Sequence, residues 1–416
     1  MNRHPKLPKR RAVALLFTCV CLLSASLLGG CGNTSPSGSQ PTAAGSREAS
    51  EHTSTTLQDS SDWHDIDVGC DLGDAQPLDL SYARNFTIDT FEDGYRLVCI
   101  SNGDRFLIVP EGAQVPQGLD EDIAIIEQQP SSVYLVSTGM ICLLDELDTL
   151  DDVTVSSVTA EDSPNDHLTQ ALEEGSTVYG GKYSAPDFEL IADKGCTLAI
   201  ENTKINHAPD IKAKLEDLGC VVLTEQSSTE PEVLGRLEWI KLMGTIFGRE
   251  DEAQKSFERL AARIDAASAD EPLGKTAAFF YINEDGAAVT RRSTDYFSQM
   301  IEMAGGTFLS FDPADEDGGA SSSVQAVIDL ETFYADAHDA DVIIYNTTVD
   351  ASVTSLDDLV AKNPLLADFT AVKSGRVFAC DENIYQAMTS ADRIIGDLHA
   401  ALEGHDGNAG FIWKLD

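Results

Sequence analysis

Basic side chains are scarce in this sequence. Its 28 Lys and Arg stand against 70 Asp and Glu. Such a field repels nucleic acid and anionic lipid surfaces, and it favours solubility and basic partners. Cysteines never occur as C-x-x-C, which removes zinc ribbons and thioredoxin-like sites. There is no G-x-S-x-G elbow, no G-x-x-x-x-G-K-[ST] phosphate loop, no H-E-x-x-H and no G-x-G-x-x-G after a strand. Beyond His4 near the N-terminus, the histidines are dispersed at His52, His64, His167, His207, His338, His399 and His405, with no pair at helical ligand spacing. No catalytic residue and no resident metal site are expected. Beyond residue 28 no stretch is long and apolar enough to span a bilayer.

What is present begins with a leader. Arg3, Lys6, Lys9, Arg10 and Arg11 precede a short apolar run from Ala12 to Leu28, and Leu28-Gly29-Gly30-Cys31 follows. Small residues before a Cys, directly after an apolar core, resemble a bacterial lipobox. Cleavage would make Cys31 a lipid-carrying N-terminus; an ordinary secretory signal with a chance Cys is the alternative. Gly32 to Ser61 is rich in Ser, Thr, Gly, Pro and Gln and reads as a flexible tether. Without the five basic leader residues the chain keeps 23 basic against 70 acidic residues, a net charge of −47. Six cysteines remain: Cys70, Cys99, Cys142, Cys196, Cys220 and Cys380. Export permits disulfides. Cys196 and Cys220 open two strand-like runs joined by a helix, so they are expected as neighbours, either bonded or as a buried thiol pair.

The folding part starts with a β-meander over Asn85–Phe91, Tyr95–Ile100 and Arg105–Val109, broken by turn-forming Glu92-Asp93-Gly94 and Ser101-Asn102-Gly103-Asp104. From Val133 to Thr224, and again from Ala277 to Leu402, strand-like and helix-like runs alternate. Such alternation implies parallel sheets covered on both faces. Between the two blocks lies the run from Thr229 to Ser268. Thr229 and Glu232 look like a capping box, and Leu234, Leu237, Ile240, Met243 and Phe247 recur at helical spacing. At about 1.5 Å per residue, roughly 40 residues would span about 60 Å, a stiff spine between two lobes. Two helices with a turn at Phe247-Gly248-Arg249 are the alternative. The fold expected is therefore α/β, two lobes with mainly parallel sheets joined by one long spine helix. The cleft between the lobes is the default ligand site.

Because cations are rare, their positions inform. Lys182-Tyr183, Lys204 to His207, Arg236 on the spine and Arg291-Arg292 lie mostly beyond strand ends, where open α/β sheets place ligands. Tyr296 and Tyr385 add flat faces and hydroxyls. The candidate ligand-binding set is Lys182, Tyr183, Lys204, His207, Arg236, Arg291, Arg292, Tyr296 and Tyr385, suited to an anionic, planar or catecholate-like ligand.

Four stretches carry a family resemblance: Ser184-Ala185-Pro186-Asp187-Phe188-Glu189-Leu190-Ile191, Leu234-Gly235-Arg236-Leu237-Glu238-Trp239-Ile240-Lys241, the run Arg291 to Gly306, and Asn363-Pro364 followed by Ala371-Val372-Lys373-Ser374-Gly375-Arg376-Val377. In this order, behind a lipobox, they resemble the substrate-binding lipoproteins of ABC importers for ferric siderophores, haem and cobalamin. The resemblance runs from about Asn85 to Leu402. It departs at Lys194-Gly195-Cys196 and in an acidic insertion over residues 312–323. It implies segments at 1–30 (lipoprotein signal), 31–65 (tether), 66–122 (β-rich start of lobe 1), 123–229 (lobe 1), 230–268 (spine) and 269–416 (lobe 2). It implies a monomer anchored to the extracytoplasmic face of the membrane. Its ligand is a metal chelate or tetrapyrrole and its partner an importer permease, and no cofactor is implied. By resemblance Glu189 and Glu331 dock the two lobes on the permease. A receptor for a bare metal ion, or a surface enzyme on a two-lobed scaffold, are the other readings the residues leave open.

Overall fold

A computed structural model describes residues 63–311 and 325–416. The leader, Cys31, the tether up to residue 62 and the acidic insertion lie outside the described residues.

The meander forms as its alternation predicts. β1 (Gln76–Pro77), β2 (Phe86–Thr90), β3 (Arg96–Ile100), β4 (Arg105–Val109) and β5 (Ile123–Glu127) make one sheet in sequence order. β4 and β5 pair parallel and the rest antiparallel. One face of this sheet, with Phe86, Ile88, Val98, Ile100, Phe106 and Ile108, joins the main core. The other packs under the segment that begins at Trp63.

Lobe 1 follows, with β6 (Val133–Leu135), α1 (Ile141–Glu146), β7 (Val153–Ser156), α2 (Asp166–Glu174), β8 (Val178–Tyr179), β9 (Gly181–Lys182), β10 (Ala185–Pro186), α3 (Phe188–Asp193), β11 (Leu198–Glu201), α4 (Pro209–Asp217) and β12 (Val221–Thr224). Its sheet runs β12-β11-β6-β7-β8, all parallel. The little β9–β10 hairpin stands apart from it. Cys196 and Cys220 lie ahead of β11 and β12, one register step apart in one buried cluster; these two and the other four cysteines of the described residues are free thiols.

Between the lobes come α5 (Val233–Phe247) and α6 (Glu250–Ala267). The spine is thus two helices, not one straight rod. Gly248 ends α5 with φ +65°, a left-handed conformation that glycine adopts without steric cost. The chain then folds back. A Cβ on Gly244 would lie 2.5 Å from that of Ala253, so only glycine lets the two helices approach there. The Lys241 ammonium lies 4.8 Å from the Phe257 ring centroid. The capping box does not form either. Thr229 donates its hydroxyl to the Gln226 carbonyl at 2.8 Å, and Glu232 takes the Arg84 guanidinium at 2.6 Å. Nearly every residue of α5 is buried, including Arg236, Glu238 and Lys241. Two carboxylates are spent on backbone here: Glu238 of α5 accepts the amides of Ser81, Tyr82 and Ala83, and Glu230, just ahead of the helix, those of Arg84 and Asn85 plus the Trp239 indole N–H. These bonds bind the start of the meander to the spine.

Lobe 2 contains β13 (Lys275–Ile282), β14 (Ala288–Arg291), α7 (Tyr296–Met303), β15 (Gly306–Phe308), β16 (Gln325–Ile328), α8 (Leu330–Ala337), β17 (Val342–Tyr345), α9 (Leu356–Lys362), α10 (Thr370–Lys373), β18 (Val377–Cys380), α11 (Ala391–Glu403) and β19 (Ile412–Lys414). The sheet order is β16-β14-β13-β17-β18-β19, with β15 also on β13. β15, β13, β17 and β18 are parallel, whereas β14, β16 and β19 add antiparallel edges. α6 reaches both lobes. Arg263 grips Asp392 at the start of α11 with two nitrogens, and Arg259 and Ser256 meet Glu146 of α1.

Candidate functional site

The carboxyl ends of the parallel strands of lobe 1 open on a cleft of about 420 Å³ facing lobe 2. Its first wall is made of residues that follow β6, β11 and β12: Ser137 and Thr138, then Asn202 to Lys204, then Glu225 and Ser227 to Thr229. Glu225 is buried. It accepts the Ser137 hydroxyl at 2.8 Å and the Ser227 amide at 2.6 Å, which ties two strand ends together.

The second wall carries the charge. Arg236 reaches up from α5 and places its guanidinium carbon over the Tyr296 ring, 3.8 Å from its centroid. Arg291, the last residue of β14, lies over Tyr385 at 4.7 Å. Asp295 caps α7 by accepting the Phe297 amide and stands 3.6 Å from Arg291. Burial pushes the Asp295 carboxyl above its ordinary value, against the pull of Arg291, the Phe297 amide and Arg236. Burial likewise raises the Tyr296 phenol, so it stays a neutral donor. Arg236 Nε, Arg291 Nε and the Tyr296 hydroxyl are buried and make no hydrogen bond within the described residues. Buried donors without partners cost free energy, and all three belong to residues that line the cleft. Gln386 closes the gap between lobes with a 3.5 Å bond from its amide to Thr138.

Of the nine candidates, Lys204, Arg236, Arg291, Tyr296 and Tyr385 line this cleft. Lys182, Tyr183, His207 and Arg292 do not. Lys182 and Tyr183 belong to the β9–β10 hairpin. Tyr134 donates its hydroxyl to the Gly181 carbonyl at 2.9 Å and pins that hairpin to the outer face, where Tyr183 packs by Val178, Phe188 and Ile211. His207 is exposed at the far end of its turn. Arg292 is half-buried and gives its carbonyl to the Ser298 hydroxyl. The wall residues overlooked in the sequence, Ser137, Thr138, Asn202, Thr203, Glu225 and Gln386 among them, are ordinary polar types. Their one shared signal is position just after strands. Among the described residues, no group of three or more His, Cys, Asp or Glu is placed to hold a metal ion.

One residue before Asn202, Glu201 is fully buried on the opposite face of the sheet. Neither carboxylate oxygen has a hydrogen-bond partner, nor does the hydroxyl of its register neighbour Thr224. Burial raises its pKa from 4.5 to about 8. Between those two values the unfolded chain releases the proton while the folded protein keeps it, so stability falls as pH rises through that window and levels off above it. Glu201→Gln removes this slope. Relative to the parent, the variant should gain on the order of a few kcal/mol between pH 5 and pH 8, read by urea unfolding at each pH. Parallel pH profiles would show that Glu201 ionises normally.

Two α/β lobes joined through a buried helix, with a cationic cleft at the strand ends, define a two-lobed solute-binding protein. The comparisons agree. The family model for periplasmic binding proteins matches residues 132–384, and the chain belongs to that family. Two uncharacterized lipoproteins of Methanocaldococcus jannaschii are similar. One is 24% identical over 349 residues, covering 78% of this chain and 81% of the relative; the other is 26% identical over 368 residues, covering 80% and 86%. Among solved structures, a periplasmic binding protein of Veillonella parvula aligns with TM-score 0.53 at 17% identity over 80% of this chain and 100% of that one. A periplasmic haem binding protein of Pseudomonas aeruginosa gives 0.53 at 17% over 69% and 98%. The petrobactin-binding protein of Bacillus subtilis gives 0.51 at 17% over 67% and 94%. These structures share the fold. No helix of the described residues is long and apolar enough to cross a membrane.

Proposed function

We propose that this chain is the lipid-anchored, extracytoplasmic receptor of an ABC importer. It captures an iron-siderophore, haem or cobalamin-type chelate between its lobes and passes it to the permease. The observation that carries this reading is the pair of tyrosine-stacked guanidiniums, Arg236 and Arg291, that line the interlobe cleft. Stacking holds each cation in place before the ligand arrives, which lowers the ordering cost of binding. The leader and Cys31 supply the anchor. The ligand's metal is cargo, held by the chelator.

A thermal-shift screen of the full chain in detergent against ferric chelates, haem, cobalamin and divalent metals tests the reading. At 100 times Kd a ligand should stabilise the fold by about 2.7 kcal/mol. A shift with bare metal alone would make the protein a metal-ion receptor instead.

Glu189 and Glu331 are proposed to dock the permease. Each is the second residue of a short helix, α3 or α8, and each follows an Asp that caps it: Asp187 accepts the Leu190 amide at 3.0 Å and Asp329 the Thr332 amide at 2.9 Å. Both glutamates are exposed. The capping is done by the aspartates, so the glutamates stay available to basic residues of a partner. Loss of a charge-assisted pair costs about 1.5–3 kcal/mol. Glu189→Lys with Glu331→Lys should therefore lower permease-coupled uptake at least tenfold while ligand affinity stays unchanged. Uptake at the parental rate would remove both residues from the interface.

A further inference from the structure

We infer that the cleft is built for a small, multiply anionic, hydroxyl-bearing chelate of the hydroxycarboxylate class, and not for a tetrapyrrole or an aryl-rich catecholate. This rests on the reading of the cleft as the ligand site and narrows it.

The reason is the composition of the walls. Ligand sites for drug-sized molecules are mostly apolar, with a few polar groups for orientation. Here no Leu, Ile, Val, Met, Phe or Trp lines the cleft among the described residues. One wall carries six hydroxyls, on Ser137, Thr138, Thr203, Ser227, Ser228 and Thr229; those of Ser137, Thr138 and Thr229 are bonded to Glu225, Gln386 and Gln226, which leaves Thr203, Ser227 and Ser228 for a ligand. A macrocycle pressed against that wall would strip hydroxyls of water and give nothing in return, an arrangement that disfavours binding. The rings are no substitute for an apolar wall. Tyr296 and Tyr385 each have a face covered by a guanidinium and each pack crosswise against Phe297. Stacking surface for porphyrin or catechol is therefore largely consumed inside the protein.

The other wall supplies cations. Arg236 and Arg291 line the cleft, and the nearby Asp295 already serves the Phe297 amide. Carboxylates match guanidiniums in plane and charge. Hydroxyls on the same ligand would meet the Ser/Thr wall, where either partner can donate. The cavity of about 420 Å³ suits a compact complex. Lys204 at the rim adds a third cation on the lobe 1 side.

The test is isothermal titration of the full chain in detergent with ferric citrate, a ferric tris-catecholate, a ferric trihydroxamate, haem and cobalamin. Ferric citrate should bind at least 100-fold more tightly than haem or the catecholate. Thr203→Val combined with Ser228→Ala should weaken ferric citrate about tenfold and leave any haem binding unchanged or stronger. Haem or catecholate binding equal to or tighter than ferric citrate overturns the inference and leaves the chelate-receptor reading standing. So does a hydroxamate preference. Absence of binding by all five overturns both.

Discussion

Arg291→Ala should reduce ligand affinity by roughly 100-fold or more and also weaken the fold. A charge-assisted hydrogen bond contributes about 1.5–3 kcal/mol, and one guanidinium can make two to a single carboxylate. The side chain is only 12% exposed and stacked on Tyr385, so no neighbour can swing in to replace it. Its loss also strands Asp295, which is 3% exposed. Removing one member of a buried ion pair costs about 3–5 kcal/mol. The low end applies, since the pair stands 3.6 Å apart and the Phe297 amide still serves the carboxylate. Arg291→Lys keeps the charge but not the plane, and should recover most of the stability and little of the affinity. Arg236→Ala should match the affinity loss with a smaller stability loss, because Asp295 keeps Arg291. Titration calorimetry with the ligand found by screening, run beside urea melts, separates the two effects. Parental affinity in both alanine variants would place the ligand elsewhere.

The second large effect is structural. Glu238→Ala should destabilise the protein by about 3–5 kcal/mol, which lowers the melting temperature by on the order of 10 °C at about 2–4 °C per kcal/mol. Glu238 is fully buried and accepts the Ser81, Tyr82 and Ala83 amides at 3.1, 2.7 and 2.8 Å and the Lys241 ammonium at 2.8 Å. Deleting it leaves three amides and a cation that is itself 7% exposed without their acceptor. Lys241 keeps the Asp79 carbonyl at 3.3 Å and the Phe257 ring. A Glu238→Gln variant retains one oxygen and should lose about half as much. Limited proteolysis should cut the Glu238→Ala protein first near residues 78–85. A melting temperature within 2 °C of the parent, within the scatter of a neutral surface substitution, would show that the meander is held by its apolar face alone.

Much of the secondary structure was legible because its signals are local. α2 is an example: Asn165 accepts the Leu168 amide at 2.9 Å, and Gly175 ends the helix in a left-handed conformation. α5 was legible as a helix but not in its course. Nearly every residue of it is buried, so no polar stripe marks a solvent side. The glycine that turns the chain at Gly248 was visible, yet the return of α6 depends on Gly244 meeting Ala253. At the site, scarcity made Lys204, Arg236 and Arg291 visible. The Ser/Thr wall was hidden, because those residues are common throughout the chain and carry no individual mark. Lys182 and Tyr183 misled, since a loop after a strand can fold to either face of a sheet. Here the Tyr134 hydroxyl on the Gly181 carbonyl and the Gly180 amide on the Ser156 carbonyl hold the loop away from the cleft.

By itself the sequence determined the α/β alternation, the two blocks around a central helical run, and a pool of rare cations near strand ends. Hydrophobic period and turn chemistry act over a few residues, so they are written locally. Only the tertiary structure decided that α6 doubles back, that Glu238 binds the meander, and that Arg236 and Arg291 stack on Tyr296 and Tyr385. Those contacts join residues far apart in the chain, and their geometry follows from sheet register and helix packing, which no local pattern encodes.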